Sequence, residues 1–259
     1  IGVCATYRSP RDAKPARNRR VGRQLVPPYD PRENSMESHS PDPAVGPDAS
    51  RTAPPDEPAP LRVRIYSDVV CPWCYIGKRR FEAALALPEA PPVSVRWLPF
   101  QLDPGAPVPG GPVAEAYAKK FGGEARATQI IAQVTEAAAA EGLGFRLDRA
   151  VRSNTFDAHR LLWWADQEDR AVGGEPADGV LPNGLLDGCQ SALKESLLAA
   201  YFVEGLDVSD HRVLVARAAA VGLDADEATE VLASGAGVSE VRSEIAGAVS
   251  ADVTAVPTF

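Results

Sequence analysis

The sequence predicts an α/β fold in which one parallel strand–helix–strand unit precedes a long helical region. Residues 61–66 alternate apolar and polar side chains, and residues 93–98 repeat that alternation, which is typical of two half-buried strands. The residues between them have a helical pattern that ends before Pro88. Two strands joined by one helix within about forty residues form a parallel unit.

The pattern from residue 112 to about 250 is helical, and we expect no clear strand there. Gly142 ends the second helix of this region, and Asn154 or Thr155 can cap the third. Asp224 and Glu227 have the spacing of a capping box at the start of another helix. The predicted helices cover residues 113–121, 124–141, 155–172, 185–204, 210–222, 224–233 and 238–250.

Residues 1–60 differ in composition from the rest of the 259-residue chain. They contain 12 of the 24 prolines and no periodic apolar pattern, so we expect a disordered Pro-rich leader. Residues 61–259 then form the folded domain. Its 18 basic and 27 acidic side chains argue against nucleic acid as a partner.

A membrane partner is not expected either. The sequence has no run of about 18 apolar residues that could span a bilayer. No apolar segment follows the basic start of the chain, as it would in a secretory signal peptide. We therefore expect a cytoplasmic protein, and the sequence leaves its oligomeric state open.

Cys71 and Cys74 are the strongest functional signal in the sequence. Two residues separate them, and they lie between the first predicted strand and its helix, where such a motif predicts thioredoxin-like redox chemistry. The positive end of a helix stabilises a thiolate and lowers the pKa of a thiol placed there. We expect Cys71 to be the nucleophile and Cys74 the resolving thiol. Pro72 and Trp73 between them are expected to tune the redox potential and to bind substrate.

Two other interpretations of the cysteine pair remain open. A zinc site needs about four ligands, and the remaining cysteines and histidines are scattered without ligand spacing, so we expect no metal. A structural disulfide across two intervening residues would close a very small loop and constrain little entropy. Cys189 lies in a helical segment, where a small core residue is the simpler interpretation.

The segment from Ser67 to Lys78 resembles the active-site segment of the DsbA-like oxidoreductases of the FrnE type. Further segments occur in the same order as in that family: Asn154-Thr155, Ala158-His159-Arg160-Leu161, Ala200-Tyr201-Phe202, Gly222-Leu223-Asp224 and Val256-Pro257-Thr258-Phe259.

The resemblance implies a thioredoxin-like fold interrupted by an all-helical insertion. The thioredoxin part would comprise residues 61–105 and 251–259, and the insertion residues 112–250. It also implies that Pro257 is cis and lies beside the cysteine pair, where the backbone of Val256 can pair with a substrate. Members of the family continue past this segment with a β-hairpin and a helix, so we expect the C-terminal strands and helix to be missing from this sequence.

The function implied by the resemblance is thiol–disulfide exchange or isomerisation on protein or small-molecule substrates. No cofactor is expected beyond the redox-active disulfide and an external thiol reductant. The alternative is a protein similar to 2-hydroxychromene-2-carboxylate isomerases, or a polyketide-pathway accessory protein that binds a small metabolite. Those relatives usually carry serine at the position of Cys71.

Other residues have two possible roles. His159 shares a predicted helix face with Phe156 and Trp163, so it is either a hydrogen-bonded core residue or, with Asn154, a wall of the substrate cleft. Trp163, Trp164, Tyr201 and Phe202 are expected to pack between helices rather than to form a ligand cage. The basic run Lys78-Arg79-Arg80 follows the first turn of its helix, where a solvent-facing surface is expected.

Overall fold

A computed structural model describes residues 61–173 and 188–259 of the chain. The predicted leader, residues 1–60, and residues 174–187 lie outside the described residues. The predictions for the leader and for most of the Gly/Pro-rich connection after residue 172 therefore have no structural counterpart below.

The predicted strand–helix–strand unit is present. Strand β1 (Leu61–Ser67), helix α1 (Pro72–Leu85) and strand β2 (Val93–Pro99) follow one another, and the two strands pair in parallel. The register runs from Leu61 opposite Val93 to Ser67 opposite Pro99. Pro72 occupies the first turn of α1, where the missing N–H of proline has no intrahelical partner to lose.

Each outer edge of this two-stranded sheet is hydrogen-bonded at one residue to another part of the chain. Beside β1, the backbone of Thr258 exchanges two hydrogen bonds with Tyr66, at 2.9 and 3.2 Å. Beside β2, the side-chain amide of Gln190 accepts a hydrogen bond from the Trp97 N–H at 2.9 Å and donates one to the Trp97 carbonyl at 3.0 Å. The Gln190 side chain therefore bonds to β2 as a neighbouring strand would.

Within the described residues seven more helices follow, with boundaries close to those predicted. Helix α5 continues into a π-helical turn, Ala200–Glu204. The helices are α2 (Val113–Phe121), α3 (Glu124–Ala140), α4 (Phe156–Gly173), α5 (Cys189–Ala199), α6 (His211–Ala220), α7 (Ala225–Ala233) and α8 (Val238–Ser250).

The expectation of no strand within residues 112–250 was wrong in one detail. Two-residue strands β3 (Gly111–Pro112) and β4 (Val151–Arg152) pair antiparallel. A two-residue pair has no periodic side-chain pattern, so the sequence carried no signal for it. Gly110 permits the close approach, because a Cβ atom there would lie 2.1 Å from the Arg152 carbonyl oxygen.

The largest core cluster joins α1 to the inserted helices. Tyr75 of α1 stacks on Phe145, and Phe145 stacks on Phe202, with ring centroids 5.8 and 4.5 Å apart. Trp164 and Tyr201 are buried in the same cluster, as predicted. No helix within the described ranges is long and apolar enough to cross a membrane.

The prediction that Lys78 and Arg79 face solvent was wrong. Lys78 is only 2% exposed and forms ion pairs with Glu82 and, at 2.8 Å, with Glu195. Arg79 pairs with the same two carboxylates, and the Tyr75 hydroxyl donates a hydrogen bond to Glu195 at 2.7 Å.

We call these five residues, Tyr75, Lys78, Arg79, Glu82 and Glu195, the Glu195 network. Its cations lower the pKa of Glu195 to about 2, against the opposing effect of burial. Helix α5, which brings Glu195 to α1, is far away in the chain, so the local charge pattern could not indicate this burial. Of the basic run, only Arg80 extends toward solvent.

Candidate active site

The two cysteines lie at the start of α1, as the sequence predicts. Cys71 is the N-cap residue and Cys74 lies one turn inside the helix, and both are free thiols. Both are buried, with 3% and 1% of their surface exposed. The first turn of α1 contains no acidic residue, so the positive end of the helix is not neutralised by a side chain.

The Val256–Pro257 segment lies against the cysteine pair. Its peptide bond is cis, as the resemblance implied, and the Cys71 thiol donates a hydrogen bond to the Val256 carbonyl at 3.5 Å. Gly77 allows this segment to approach α1, because a Cβ atom there would lie 2.9 Å from Cγ of Pro257. The N–H of Val256 makes no hydrogen bond within the described part of the chain.

The two residues between the cysteines differ in exposure. Pro72 is buried in the first turn of α1. Trp73 is 48% exposed, which is unusual for so large an apolar side chain. The exposed indole beside Cys71 therefore gives the site an apolar outer surface.

The electrostatics of the pair differ from the sequence expectation. The hydrogen bond to Cys74, together with burial, raises the pKa of Cys71. Burial acts to raise the pKa of Cys74 too, but the hydrogen bond from Cys71 and the positive charge of Lys194 outweigh it and lower this pKa. In the reduced pair Cys74 therefore has the lower pKa. The helix-end argument predicts the lower pKa for Cys71 instead.

Lys194 is a site residue that the sequence reasoning missed. It is completely buried in α5, its Nζ atom donates a hydrogen bond to the Ser67 carbonyl at 3.4 Å, and it lies 5.7 Å from the centre of the Trp97 ring. Burial lowers its pKa to about 8, although the charges of Cys74 and Asp68 act in the opposite direction. The sequence signal that could have indicated its burial is the set of apolar residues around it in α5.

Asp68 and His159 form a second buried polar pair next to the cysteines. The Asp68 carboxylate accepts a hydrogen bond from the Leu102 N–H at 2.8 Å, and His159 Nε2 lies 3.3 Å from its other oxygen. His159 Nε2 is also 3.1 Å from the Phe100 carbonyl, and since both neighbours are acceptors, this nitrogen carries the hydrogen. Burial acts to raise the pKa of Asp68, but His159 and Lys194 lower it overall.

The structure thus brings Cys71, Cys74, Val256 and Pro257 together, and it connects His159 to the site through Asp68. His159 is 3% exposed, the hydrogen-bonded core position that was one of its two predicted roles.

The Asn154 side chain forms hydrogen bonds at the start of α4 and with the loop before α2, not with the cysteine pair. Its Oδ1 accepts from the Phe156 N–H at 3.0 Å at the start of α4, and its Nδ2 donates to the Ala106 carbonyl at 3.3 Å. A role for Asn154 in substrate binding stays a prediction. Within residues 61–173 and 188–259, no group of three or more His, Cys, Asp or Glu side chains is arranged to hold a metal ion.

Comparison with known proteins gives a match over most of the chain. Residues 62–259 match the family model of the DSBA-like thioredoxin domain. The structure is similar to a protein from Streptomyces coelicolor described as a probable DsbA oxidoreductase. The two are 35% identical, with a TM-score of 0.65, over 76% of this chain and 78% of that one.

Two further likenesses are shorter or more distant. The uncharacterized protein YwbO of Bacillus subtilis (strain 168) is 43% identical over 44 residues, which are 17% of this chain and 20% of YwbO. The match therefore spans about a fifth of that curated relative. A 2-hydroxychromene-2-carboxylate isomerase structure is 13% identical over 76% of this chain and 84% of its own, with a TM-score of 0.48.

Proposed function

We propose that this chain, which belongs to the DsbA-like thioredoxin domain family, is a thiol–disulfide oxidoreductase that acts through Cys71 and Cys74. The observation that carries the proposal is the reduced cysteine pair at the start of α1, with the Cys71 thiol hydrogen-bonded to the Val256 carbonyl. The pKa of Cys71 is raised and that of Cys74 is lowered. Two such adjacent thiols are suited to thiol–disulfide exchange, because one can attack a substrate disulfide and the other can resolve the mixed disulfide.

Cys71 is the proposed attacking thiol because it lies at the helix N-cap, next to Val256 and the exposed Trp73. The reaction starts with Cys74 as the thiolate, the form that Lys194 favours, and the Cys71 proton passes to Cys74. The Cys71 thiolate then attacks one sulfur of the substrate disulfide, a mixed disulfide forms, and the first substrate thiol leaves and takes up a proton.

Cys74 completes the reaction. It gives its proton to the first substrate thiolate, a loss that the positive charge of Lys194 favours, and attacks the Cys71 sulfur. The mixed disulfide breaks, the second substrate thiolate leaves and takes a proton from the solvent, and the Cys71–Cys74 disulfide forms. The substrate gains two electrons and the protein loses two, so an external thiol must reduce the pair again before the next turnover.

The backbone of Val256 is the proposed docking point for an extended substrate segment. Its N–H is without a partner in the described residues, and its carbonyl faces Cys71. A substrate strand that pairs with this backbone would place its disulfide next to the Cys71 sulfur, by the principle of β-strand addition.

Reduction of insulin by dithiothreitol tests the proposal. The full chain should accelerate the reaction, and Cys71→Ser should abolish the acceleration. Cys74→Ser should instead accumulate a mixed disulfide on Cys71, which mass spectrometry of the unreduced protein detects. Absence of acceleration by the wild-type chain, or full activity in Cys71→Ser, would contradict the proposal and favour a protein that binds a small metabolite without redox chemistry.

A further inference from the structure

A cavity of about 410 Å³ lies between helix α2 and the residues that precede Cys71. We call it the Tyr117 cavity. Its apolar lining comes from Val70, Val113 and Phe121, together with the rings of Tyr117 and the buried Tyr201. A volume of this size suits a small organic molecule, since such sites typically measure about 300–1,000 Å³.

The Tyr117 cavity adjoins the segment that carries the cysteine pair, although neither cysteine is among its lining residues. Val70, which lines it, is the residue before Cys71. Burial and the nearby charge of Cys71 raise the pKa of Tyr117 to about 12. A molecule in the cavity would therefore lie one residue away from Cys71, at Val70.

The cavity also has a basic lining. Lys119 and Lys120 of α2 line it, both are exposed, and neither forms an ion pair in the part of the chain that the structure describes. Arg152 is already paired with Asp103, with 2.6 Å between Nε and the carboxylate oxygen. The cavity thus has two uncompensated positive charges in a chain whose formal net charge is −8.

We propose that the Tyr117 cavity binds a small organic disulfide, or its thiol, that has an apolar body and an anionic group. The apolar body packs between Val70 and Phe121, the anionic group faces Lys119 and Lys120, and the sulfur lies at Cys71. The inference rests on the proposed function and specifies its substrate class. Oxidation of the dithiol by such a molecule releases two equivalents of its thiol and leaves the Cys71–Cys74 disulfide.

Two aromatic disulfides of similar size provide the test. Dithiobis(nitrobenzoate) carries one carboxylate on each ring, and dithiodipyridine is neutral. The rate of thiol release from each is measured with the reduced full chain, and the rate of Cys71→Ser is subtracted. The double variant Lys119→Gln, Lys120→Gln removes the two positive charges of the cavity. The double variant Arg64→Gln, Arg126→Gln changes the net charge equally at exposed positions outside the cavity.

The ratio of the two rates, nitrobenzoate over pyridine, is the decisive quantity. It should fall about tenfold in the lysine double variant, which corresponds to ~1.4 kcal/mol, and stay within about twofold of the wild type in the arginine double variant. An unchanged ratio in the lysine variant, or an equal fall in both variants, would overturn the inference. In either case normal reaction with dithiodipyridine leaves the proposed function standing, whereas failure of both reagents to oxidise the wild-type pair contradicts both.

Discussion

The substitution Glu195→Gln should destabilise the protein by about 3 kcal/mol. It keeps the shape of the side chain but removes the negative charge that Lys78 and Arg79 share. Lys78 is 2% exposed, so it cannot recover its lost interaction from water, and only Glu82 remains to neutralise two cations. Removing one partner of a buried ion pair typically costs about 3–5 kcal/mol for this reason.

The pKa of Glu195 gives the same magnitude independently. Its ordinary value is 4.5 and its value in the folded protein is about 2. At ~1.4 kcal/mol for each pH unit, that difference corresponds to about 3 kcal/mol in favour of the charged, folded form. Because the folded pKa is the lower one, the contribution is present above about pH 5 and is lost as the pH falls toward 2.

Thermal unfolding followed by circular dichroism measures both effects. The melting temperature of Glu195→Gln should be about 6–12 °C below that of the wild type at neutral pH, since about 200 folded residues give roughly 2–4 °C per kcal/mol. The matched control is Glu141→Gln, whose partner Arg80 is largely exposed, and it should lower the melting temperature by no more than about 4 °C.

The pH dependence provides the second criterion. The difference between the wild type and Glu195→Gln should shrink as the pH falls from about 5 to 2, because the wild-type carboxylate is then protonated and neutral, like the amide of the variant. The reasoning is refuted if Glu195→Gln and Glu141→Gln unfold at the same temperature at neutral pH. A difference that stays constant down to pH 2 would also refute it.

Two further predictions concern the cysteine pair and its surroundings. Gly77→Ala should lower insulin-reduction activity at least about tenfold, because the added methyl group displaces Pro257, and Gly247→Ala, whose Cβ would meet no atom within 4 Å, should retain full activity. Equal activities would show that the Pro257 position does not matter. Lys194→Met should raise the pKa of Cys74, measured as the pH dependence of thiolate absorbance, since its positive charge lowers that pKa. An unchanged titration would exclude this role of Lys194.

The elements of the fold could be predicted because their signals are local. The alternation of apolar and polar side chains at 61–66 and 93–98 predicted the two paired strands β1 and β2. Asp224 caps α7 by accepting hydrogen bonds from the N–H groups of Asp226 and Glu227, as its spacing indicated. The cysteine pair was equally evident, since a spacing of two residues after a strand is a local pattern too.

What could not be predicted depends on contacts between distant segments. From the sequence, the electrostatic effect that could be inferred at Cys71 was that of the helix N-terminus, which lowers the pKa of a thiol. Lys194 reaches the pair from α5 and shifts the balance toward a thiolate on Cys74. Lys78 looked solvent-exposed for the same reason, because its carboxylate partner Glu195 lies on that same distant helix.

The Gln190 amide on strand β2 has a consequence for how the protein behaves in a crowded solution. A strand with an unpaired edge can pair with the edge of another molecule, which is the first step of many aggregates. Gln190 uses both its donor and its acceptor on the Trp97 backbone, so the middle of the β2 edge is already occupied. One buried side chain thus blocks edge-to-edge pairing with another molecule at the middle of β2.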